Sequence, residues 1–329
     1  MRPYLLPLLA VAIILPLAAL AQSIETASLE TFSVSIDPQY PSPLSQADIS
    51  VQSSSIDLAN STMTVSVAGK NLYKGAVRAV AVQVGKAGSI TKVKVTITSA
   101  GSSSSQTVSI EPQDVALIAE PVSSSPPLYP GSPLVPLEGD VRVVAVANFA
   151  NSAGTPLDPS TLSYSWTVDG TQIADSSGIG KQAIIVASPL EYRSRAVSIA
   201  ITSQDGSLVG GDDLSLTALD PTVRVYENDP LLGILYEHAL SGNYTISGAE
   251  DTLYAAPFSF PTSNGAPSIQ WFLNGNAAQT GNSITLRPTG SGQGSASLSV
   301  VASGGQTARA TEALSLTFGA TPGTGLFGL

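Results

Sequence analysis

Three times in this chain a short alternating run ends in a small or polar residue followed by glycine. The runs are Val65-Ser66-Val67-Ala68-Gly69, Trp166-Thr167-Val168-Asp169-Gly170 and Trp271-Phe272-Leu273-Asn274-Gly275. Each places large apolar side chains at every second position, the period of a strand with one buried face. The three glycines stand about 100 residues apart, the size of a domain and well beyond the roughly 20 to 50 residues of a solenoid repeat. The spacing predicts independent domains in a row, each with its own core.

The N-terminus carries Arg2, then an apolar run from Tyr4 to Leu20 that ends in Ala19-Leu20-Ala21 before Gln22. A basic end, an apolar centre and small residues at the exit give the order of a secretory signal peptide over residues 1–21, cleaved after Ala21. The alternative is an uncleaved anchor, since about 17 apolar residues is the lower limit for spanning a bilayer. Pro7 and Pro16 break such a helix, and the Ala-x-Ala end suits cleavage. The expected location is extracytoplasmic: secreted, periplasmic or cell surface, with membrane contact only if the segment stays uncleaved. The chain has no cysteine, which excludes lipid attachment through cysteine and requires each core to hold without disulfides. Residues 320–329, rich in glycine, are expected to be a flexible tail; a docking peptide is the other reading.

A net charge of −10 speaks against nucleic acid and anionic membranes as partners. Five of the six lysines nevertheless fall before residue 95: Lys70, Lys74, Lys86, Lys92 and Lys94, with Arg78 among them. In Ile90-Thr91-Lys92-Val93-Lys94-Val95-Thr96-Ile97 the lysines alternate with valines, as the wet side of a sheet does. The sharper reading is a weakly basic face for an anionic envelope polymer or for the acidic second domain.

Charged residues make up only 12% of the chain, and no helical heptads are visible. Strict alternation recurs instead in Leu162-Ser163-Tyr164-Ser165-Trp166-Thr167-Val168-Asp169, in Arg195–Thr202, in Ala296–Val301 and in Leu214-Ser215-Leu216. Short alternating strands between Gly, Pro, Asn and Asp clusters are the pattern of β-sandwiches. Tyr40-Pro41-Ser42-Pro43-Leu44 has a counterpart in Tyr129-Pro130-Gly131-Ser132-Pro133-Leu134, and more loosely in Asp229-Pro230-Leu231. Prolines of this kind suit an opening edge strand, where no ladder donor is missed. The expected division is sandwich 1 over 22–119, sandwich 2 over 120–221 and sandwich 3 over 222–319, with joints at Glu120-Pro121 and Asp220-Pro221. The Pro-rich stretch Val122–Pro136 is expected to stiffen the first joint.

This combination resembles the immunoglobulin-like and PKD-like domains of bacterial extracellular proteins, in which a strand with a core Trp ends in a tight x-Gly turn. The likeness spans nearly the whole chain after residue 21. The first unit departs from it, with Val65 in place of Trp166 and Trp271. Tyr226-Glu227-Asn228-Asp229-Pro230-Leu231-Leu232-Gly233 together with the Trp strands also looks like secreted multi-domain proteins of candidate-phylum bacteria, a likeness that carries no activity. The fold class is all-β: three tandem immunoglobulin-like sandwiches after an N-terminal signal segment.

Sites for chemistry are few. His238 is the only histidine, so a Ser-His-Asp triad would have to be built around Leu235–Leu240, and no Gly-x-Ser-x-Gly elbow is present. Zinc is disfavoured for want of His and Cys ligands. Oxygen ligands for calcium gather in sequence around the second joint, at Asp205-Gly206, Asp212-Asp213, Asp220 and Glu227-Asn228-Asp229. No Asp-x-Asp-x-Asp-Gly loop occurs, and these residues are equally ordinary turn formers. Paired carboxylates for glycoside cleavage depend on spatial distance and are not readable here. Trp166 and Trp271, flanked by apolar alternation, read as core residues in preference to a sugar platform. The Gly-Gly pairs at 210 and 304 are read as lying between strands, without the helix and Lys-Ser/Thr of a phosphate loop. No catalytic, cofactor-binding or metal residue is assigned and no cofactor is expected. The reading is a non-catalytic exported spacer, scaffold or adhesin-like binder whose partner is a protein or envelope polymer; the alternative is a glycan-binding or glycan-cleaving accessory protein.

Overall fold

The protein is described by a computed structural model over residues 31–289 and 293–319. The first sandwich contains β1 (Ser33–Asp37), β2 (Gln46–Gln52), β3 (Thr62–Val67), β4 (Lys70–Ala76), β5 (Val80–Gln83), β6 (Thr91–Ser99) and β7 (Ser102–Ile110). Its two sheets have the orders β1-β2-β5 and β4-β3-β6-β7. The second contains β8 (Asp114–Pro121), β9 (Asp140–Asn148), β10 (Ser163–Val168), β11 (Thr171–Gln172), β12 (Gly178–Ile179), β13 (Ala183–Ala187), β14 (Ser194–Thr202) and β15 (Val209–Thr217). Its sheets are β13-β9-β8 and β11-β10-β14-β15, with β12 also on β10.

The third sandwich contains β16 (Thr222–Asp229), β17 (Gly233–Ile234), β18 (Gly242–Ile246), β19 (Asp251–Phe258), β20 (Ser268–Leu273), β21 (Asn276–Thr280), β22 (Ser283–Leu286), β23 (Gly294–Gly304) and β24 (Ala308–Phe318). Its sheets are β17-β16-β19-β22 and β18-β24-β23-β20-β21. Here the opening segment switches sheets. β16 pairs antiparallel with β19, and β18 then runs parallel to β24 and covers its edge. The chain is therefore all-β, three immunoglobulin-like β-sandwiches in tandem.

Period-2 alternation decides which side chains meet between the sheets. In the second domain Leu162, Tyr164 and Trp166 are buried from one side of β10, and Val197, Ile199 and Ile201 from one side of β14. Trp271 is likewise fully buried, among Leu253, Phe260, Leu298 and Val300. In both domains the indole N–H is satisfied within the core, donating to Lys181 O at 2.8 Å and to Gly281 O at 2.9 Å. Val65 holds the same register in the first domain, opposite Val95, where Trp166 faces Ile199 and Trp271 faces Val300.

The three x-Gly pairs are tight hairpin turns with both residues in the left-handed region. Their φ angles are 48° and 82° at Ala68-Gly69, 49° and 78° at Asp169-Gly170, and 48° and 79° at Asn274-Gly275. Asn and Asp tolerate this conformation, whereas Ala does not favour it. In the second and third domains the turn side chain also reaches the next strand: Asp169 accepts from Ala196 N and Asn274 from Ser297 N, both at 2.9 Å.

The first boundary differs from the expectation of 119/120. β8 starts at Asp114 and pairs with β9 along its length, so residues 114–119 belong to the second sandwich. Glu120-Pro121 looked like punctuation because proline stops most strands. β8, however, is an edge strand, where Pro121 costs no ladder bond. At the second joint β15 ends at Thr217 and β16 starts at Thr222.

Candidate functional site

Each sandwich has a leading end, where the chain enters, and a trailing end, where it leaves. The loop between the first two strands of a domain lies at its trailing end, and Tyr40–Leu44 and Tyr129–Leu134 fall in these loops. The repeated Tyr-Pro segment is thus no opening strand. It faces the next domain in both cases.

At the first joint the Tyr40 ring lies against the backbone of β15, and a side chain at Gly211 would sit 2.4 Å from it. Gly210 leaves the same kind of room for Phe149 and Gln113. The Gly-Gly pair therefore lies within a strand, where it permits close approach. Gly88, in the left-handed region at φ 72°, donates its N–H to Pro112 O at 3.0 Å and faces the carbonyls of Ala150 and Asn151. Gln113 is buried in the connector and accepts from Ala150 N at 2.9 Å. Two clefts of about 240 and 360 Å³ share Gln39 and Tyr40 as a wall.

At the second joint the stretch Val122–Pro136 leaves β8 and runs along the third domain, so its contacts bear on this joint and not on the first. A proline-rich segment has few N–H donors and free carbonyls, which need partners elsewhere. Pro127 O accepts from Tyr236 Oη at 2.8 Å, and Val122 O from Thr262 N at 3.1 Å. Ser124 N donates to Phe260 O at 2.7 Å while its hydroxyl accepts from Phe260 N. Tyr129 packs edge to face on Tyr236 and Phe258 with ring centroids 5.5 and 5.0 Å apart, and Tyr226 meets Tyr236 at 5.2 Å. Burial pushes the Tyr236 phenol up to about 12.

Across the joint, Glu138 clasps the turn between β23 and β24. It accepts from Gln306 N at 2.8 Å, from Thr307 N at 3.0 Å and from the Thr307 hydroxyl. The Thr307 hydroxyl foremost, then the Gln306 and Thr307 N–H groups, hold this carboxyl below its ordinary value. Gly305 makes the approach possible, since a side chain there would lie 2.6 Å from both Glu138 and Pro261. Ser259 donates to Leu219 O at 2.9 Å, and Leu219 N donates to Val135 O at 2.9 Å.

The acidic residues considered for calcium do not meet at the second joint. Asp205 sits in the turn before β15, at the first joint, and the Ser203 hydroxyl and Ser207 lower its carboxyl to about 2. Asp212 accepts from Leu117 N at 2.8 Å. Asp229 caps a turn by accepting from Leu231 N and Leu232 N, which lowers its carboxyl. It lies at the far end of β16 from Asp220, about 23 Å along the strand. Antiparallel connectivity separates residues that the sequence places close together. Among the described residues no three His, Cys, Asp or Glu side chains are placed to hold a metal ion.

His238 is exposed, and its Nδ1 faces Glu237 O at 2.7 Å; no serine hydroxyl is among its partners. Lys92 and Lys94 are exposed on β6, alternating with buried Val93 and Val95, and Lys74 is exposed on β4, from which β3 separates them. The signal segment 1–21 and the tail 320–329 lie outside the described residues. No helix among the described residues is long and apolar enough to cross a membrane.

Glu138, Gln113 and the two joint tyrosines were not singled out from sequence as functional. The available signal was the Tyr-Pro repeat, whose meaning depends on which end of the domain its loop occupies.

No protein-family model matches the chain, and no curated protein matches it. Solved structures do. The three N-terminal domains of the bacteriophage RB49 Highly Immunogenic Outer Capsid protein match at 14% identity, over 88% of this chain and 100% of that chain, with a TM-score of 0.24. The central fibronectin-III array of RIM-binding protein matches at 9% identity over 88% and 96%, with a TM-score of 0.30. The fibronectin(III)-like modules of Clostridium thermocellum CbhA match at 12% identity over 60% and 95%, with a TM-score of 0.23.

Proposed function

We propose that this chain is an exported, non-catalytic spacer or scaffold of the cell envelope or cell surface, a stiff rod that holds its two ends a fixed distance apart. The observation that carries this reading is that both joints are packed. Tyr40 lies on β15 at the first, and at the second Glu138 and the Pro-rich strap bind the third domain. Domain joints without such contacts move by default. The clefts at the joints measure about 240, 360 and 280 Å³, and in the last the Thr307 hydroxyl and the Glu138 carboxylate are engaged with each other across the joint. The reading places the protein outside the cytoplasm, with a protein or envelope polymer as partner.

Solution scattering tests the rod. Strands of nine to eleven residues give domains of roughly 35 to 40 Å with their loops, hence a maximum dimension of about 110 to 120 Å for the extended array. A single such dimension, unchanged between low and high salt, is expected; a broad distribution of compact shapes would overturn the stiff spacer. Fractionation with a sequenced mature N-terminus tests export, and recovery in the cytoplasm with Met1 retained would refute it. Saturable binding or cleavage of a polysaccharide would replace the spacer with the glycan reading.

A further inference from the structure

The outer faces of the sheets differ in what they show to water. On β6 the positions between buried residues are Lys92, Lys94 and Thr96, and on β10 they are Ser163, Ser165 and Thr167. Sheet β13-β9-β8 of the second domain departs from this pattern. Its buried residues alternate with Ala183 and Ile185 on β13, Val144 and Val146 on β9, and Ala116 and Ile118 on β8. Ile185, Ile118 and Val146 are 68%, 48% and 39% exposed. The register sets Ala183, Val144 and Ile118 in one row and Val146 beside Ala116 in the next, with Ile185 in the row on the other side. Val143-Val144-Ala145-Val146-Ala147 and Ala183-Ile184-Ile185-Val186-Ala187 thus read as continuous apolar runs, the pattern of a sheet covered on both faces.

The third domain shows what such a face requires. There Tyr226, Ala256 and Phe258 stand on the side of β16 and β19 opposite the core residues Val225 and Ala255, and Tyr129 of the strap packs over them. On the second domain no described residue covers the apolar rows, and the strands and loops that surround them are all described. Three strands and three rows of side chains give this face an area of roughly 300 Å², the size of patches that mark interaction surfaces.

The border of the face decides what fits it. At one end Arg142 Nη1 donates to Glu120 Oε2 at 2.5 Å, from β9 to β8, and at the other Asn148 Nδ2 donates to Asp114 Oδ2 at 2.9 Å. A two-fold axis that runs along the strands between β8 and β9 of two stacked copies exchanges these strands, so each pair within a row becomes a pair across the contact. Arg142 of one copy then meets Glu120 of the other, Asn148 meets Asp114, Val144 meets Ile118 and Val146 meets the smaller Ala116, each on both sides of the axis. The face complements itself in charge, hydrogen bonding and size.

We infer that this face is a contact between two copies of the chain, their second domains stacked sheet on sheet with β8 over β9. Stacked sheets lie about 10 Å apart, as they do inside a sandwich. The apolar area is well below the roughly 800 Å² per partner of a standard interface, so the pair is weak and forms where copies are crowded together.

Sedimentation equilibrium of the full chain, from micromolar to millimolar protein, tests the pairing. The mass is expected to rise toward that of two copies. Ile118→Asp, at a position that faces solvent in the single copy, is expected to weaken pairing by about tenfold or more while the second domain keeps its calorimetric transition. A chain that stays single throughout, or an I118D variant that pairs as wild type does, would overturn the proposal. Charge exchange tests the axis. Arg142→Glu alone and Glu120→Arg alone each set like charges against one another in a pair of identical copies, so each is expected to stay single. An equimolar mixture of the two is expected to pair, because every such contact between the variants then joins opposite charges. A mixture that pairs no better than either variant alone would refute the arrangement. Scattering from the concentrated sample keeps this separate from the stiffness of the array: side-by-side pairing doubles the mass and retains the length of the single rod, whereas a pair of twice that length would overturn the proposal in favour of end-to-end contact.

Discussion

The three hairpin turns make an internal experiment, because two of them carry an αL-tolerant residue that bonds the neighbouring strand and the first carries alanine. At Ala68, φ is 48°, a conformation that costs an alanine about 1 kcal/mol relative to asparagine. Ala68 N donates to Lys92 O at 3.3 Å, as Asp169 N does to Ala196 O and Asn274 N to Ser297 O. In the last two pairs the same strand residue returns its own N–H to the turn side chain. A residue's N–H and C=O point the same way from a strand, so Lys92 N faces position 68 and an asparagine there is placed to accept from it.

Ala68→Asn should therefore gain about 1 kcal/mol from backbone conformation and about 0.5 kcal/mol from one exposed hydrogen bond. For a domain of this size that raises the melting temperature by roughly 5 to 10 °C. Both tryptophans lie in the other two domains, so fluorescence does not report this change. Calorimetry on the full chain follows the first domain's transition, and amide exchange follows Lys92 directly. Ala100→Asn is the control: Ala100 has φ 47° in the β6–β7 turn, and asparagine there tests the conformational gain apart from the Lys92 bond. The expected outcome is a larger gain at 68 than at 100, with slower exchange of the Lys92 amide. If Ala68→Asn is neutral or destabilising, or if Lys92 exchanges as before, the three turns are not equivalent and the reasoning fails.

Other outcomes follow from the cores and the joints. Trp166→Ala and Trp271→Ala should each cost about 3 to 5 kcal/mol and unfold chiefly their own domain in calorimetry, since each removes a buried ring and leaves a carbonyl without its indole donor. Glu138→Ala should leave the three domain transitions nearly in place but widen the distribution of shapes in solution scattering and speed proteolysis between residues 305 and 309. The Glu138 carboxyl is held below its ordinary value, so its contribution is complete above the usual glutamate range and disappears as pH falls through the lowered value. The scattering change should therefore appear in wild type under acid and be absent at neutral pH. Gly211→Leu should open the first joint by displacing Tyr40 and also destabilise the second domain, because its side chain would lie 2.4 Å from Ile199 O on β14, with the second joint unaffected, as read from calorimetry and from distances between spin labels placed on each domain. Millimolar calcium should not raise the melting temperature relative to a chelator, because Asp205, Asp212 and Asp229 already accept from local donors at three separate places.

Local order was legible in the sequence, and the contacts between domains were not. The run Leu162–Asp169 could be assigned to one buried face because a period of two has a single geometric meaning in a strand. Trp166 and Trp271 could be placed in cores for the same reason. The Glu138 clasp involves residues 169 positions apart, and nothing local to Leu137-Glu138-Gly139 distinguishes it from any surface carboxylate. The acidic cluster misled in the opposite direction. Neighbours in sequence such as Asp212 and Asp220 bracket most of a strand, which carries them toward opposite ends of the domain. The Pro-rich stretch reads as part of the first joint only if the boundary falls at Pro121; β8 belongs to the second sandwich, and the stretch after it meets the third domain.

The repeated Tyr-Pro segment ties these observations to function. A loop at the trailing end of a sandwich has nothing of its own domain left to pack against, so an aromatic there remains exposed unless the next domain receives it. Tyr40 and Tyr129 are both received, the first by the glycines of β15 and the second by Tyr236 and Phe258. The receiving surfaces differ: bare backbone at one joint, an aromatic cluster at the other. In the third domain the corresponding turn carries Leu231 and Leu232, 94% and 77% exposed, with no further sandwich among the described residues to receive them. The packed joints thus close over positions that lack a side chain. Gly88 and Gly305 each admit a neighbour that any larger residue would push away, so single substitutions there should loosen a joint, whereas at Gly211 a side chain would also lie 2.4 Å from Ile199 O and strain the second domain itself.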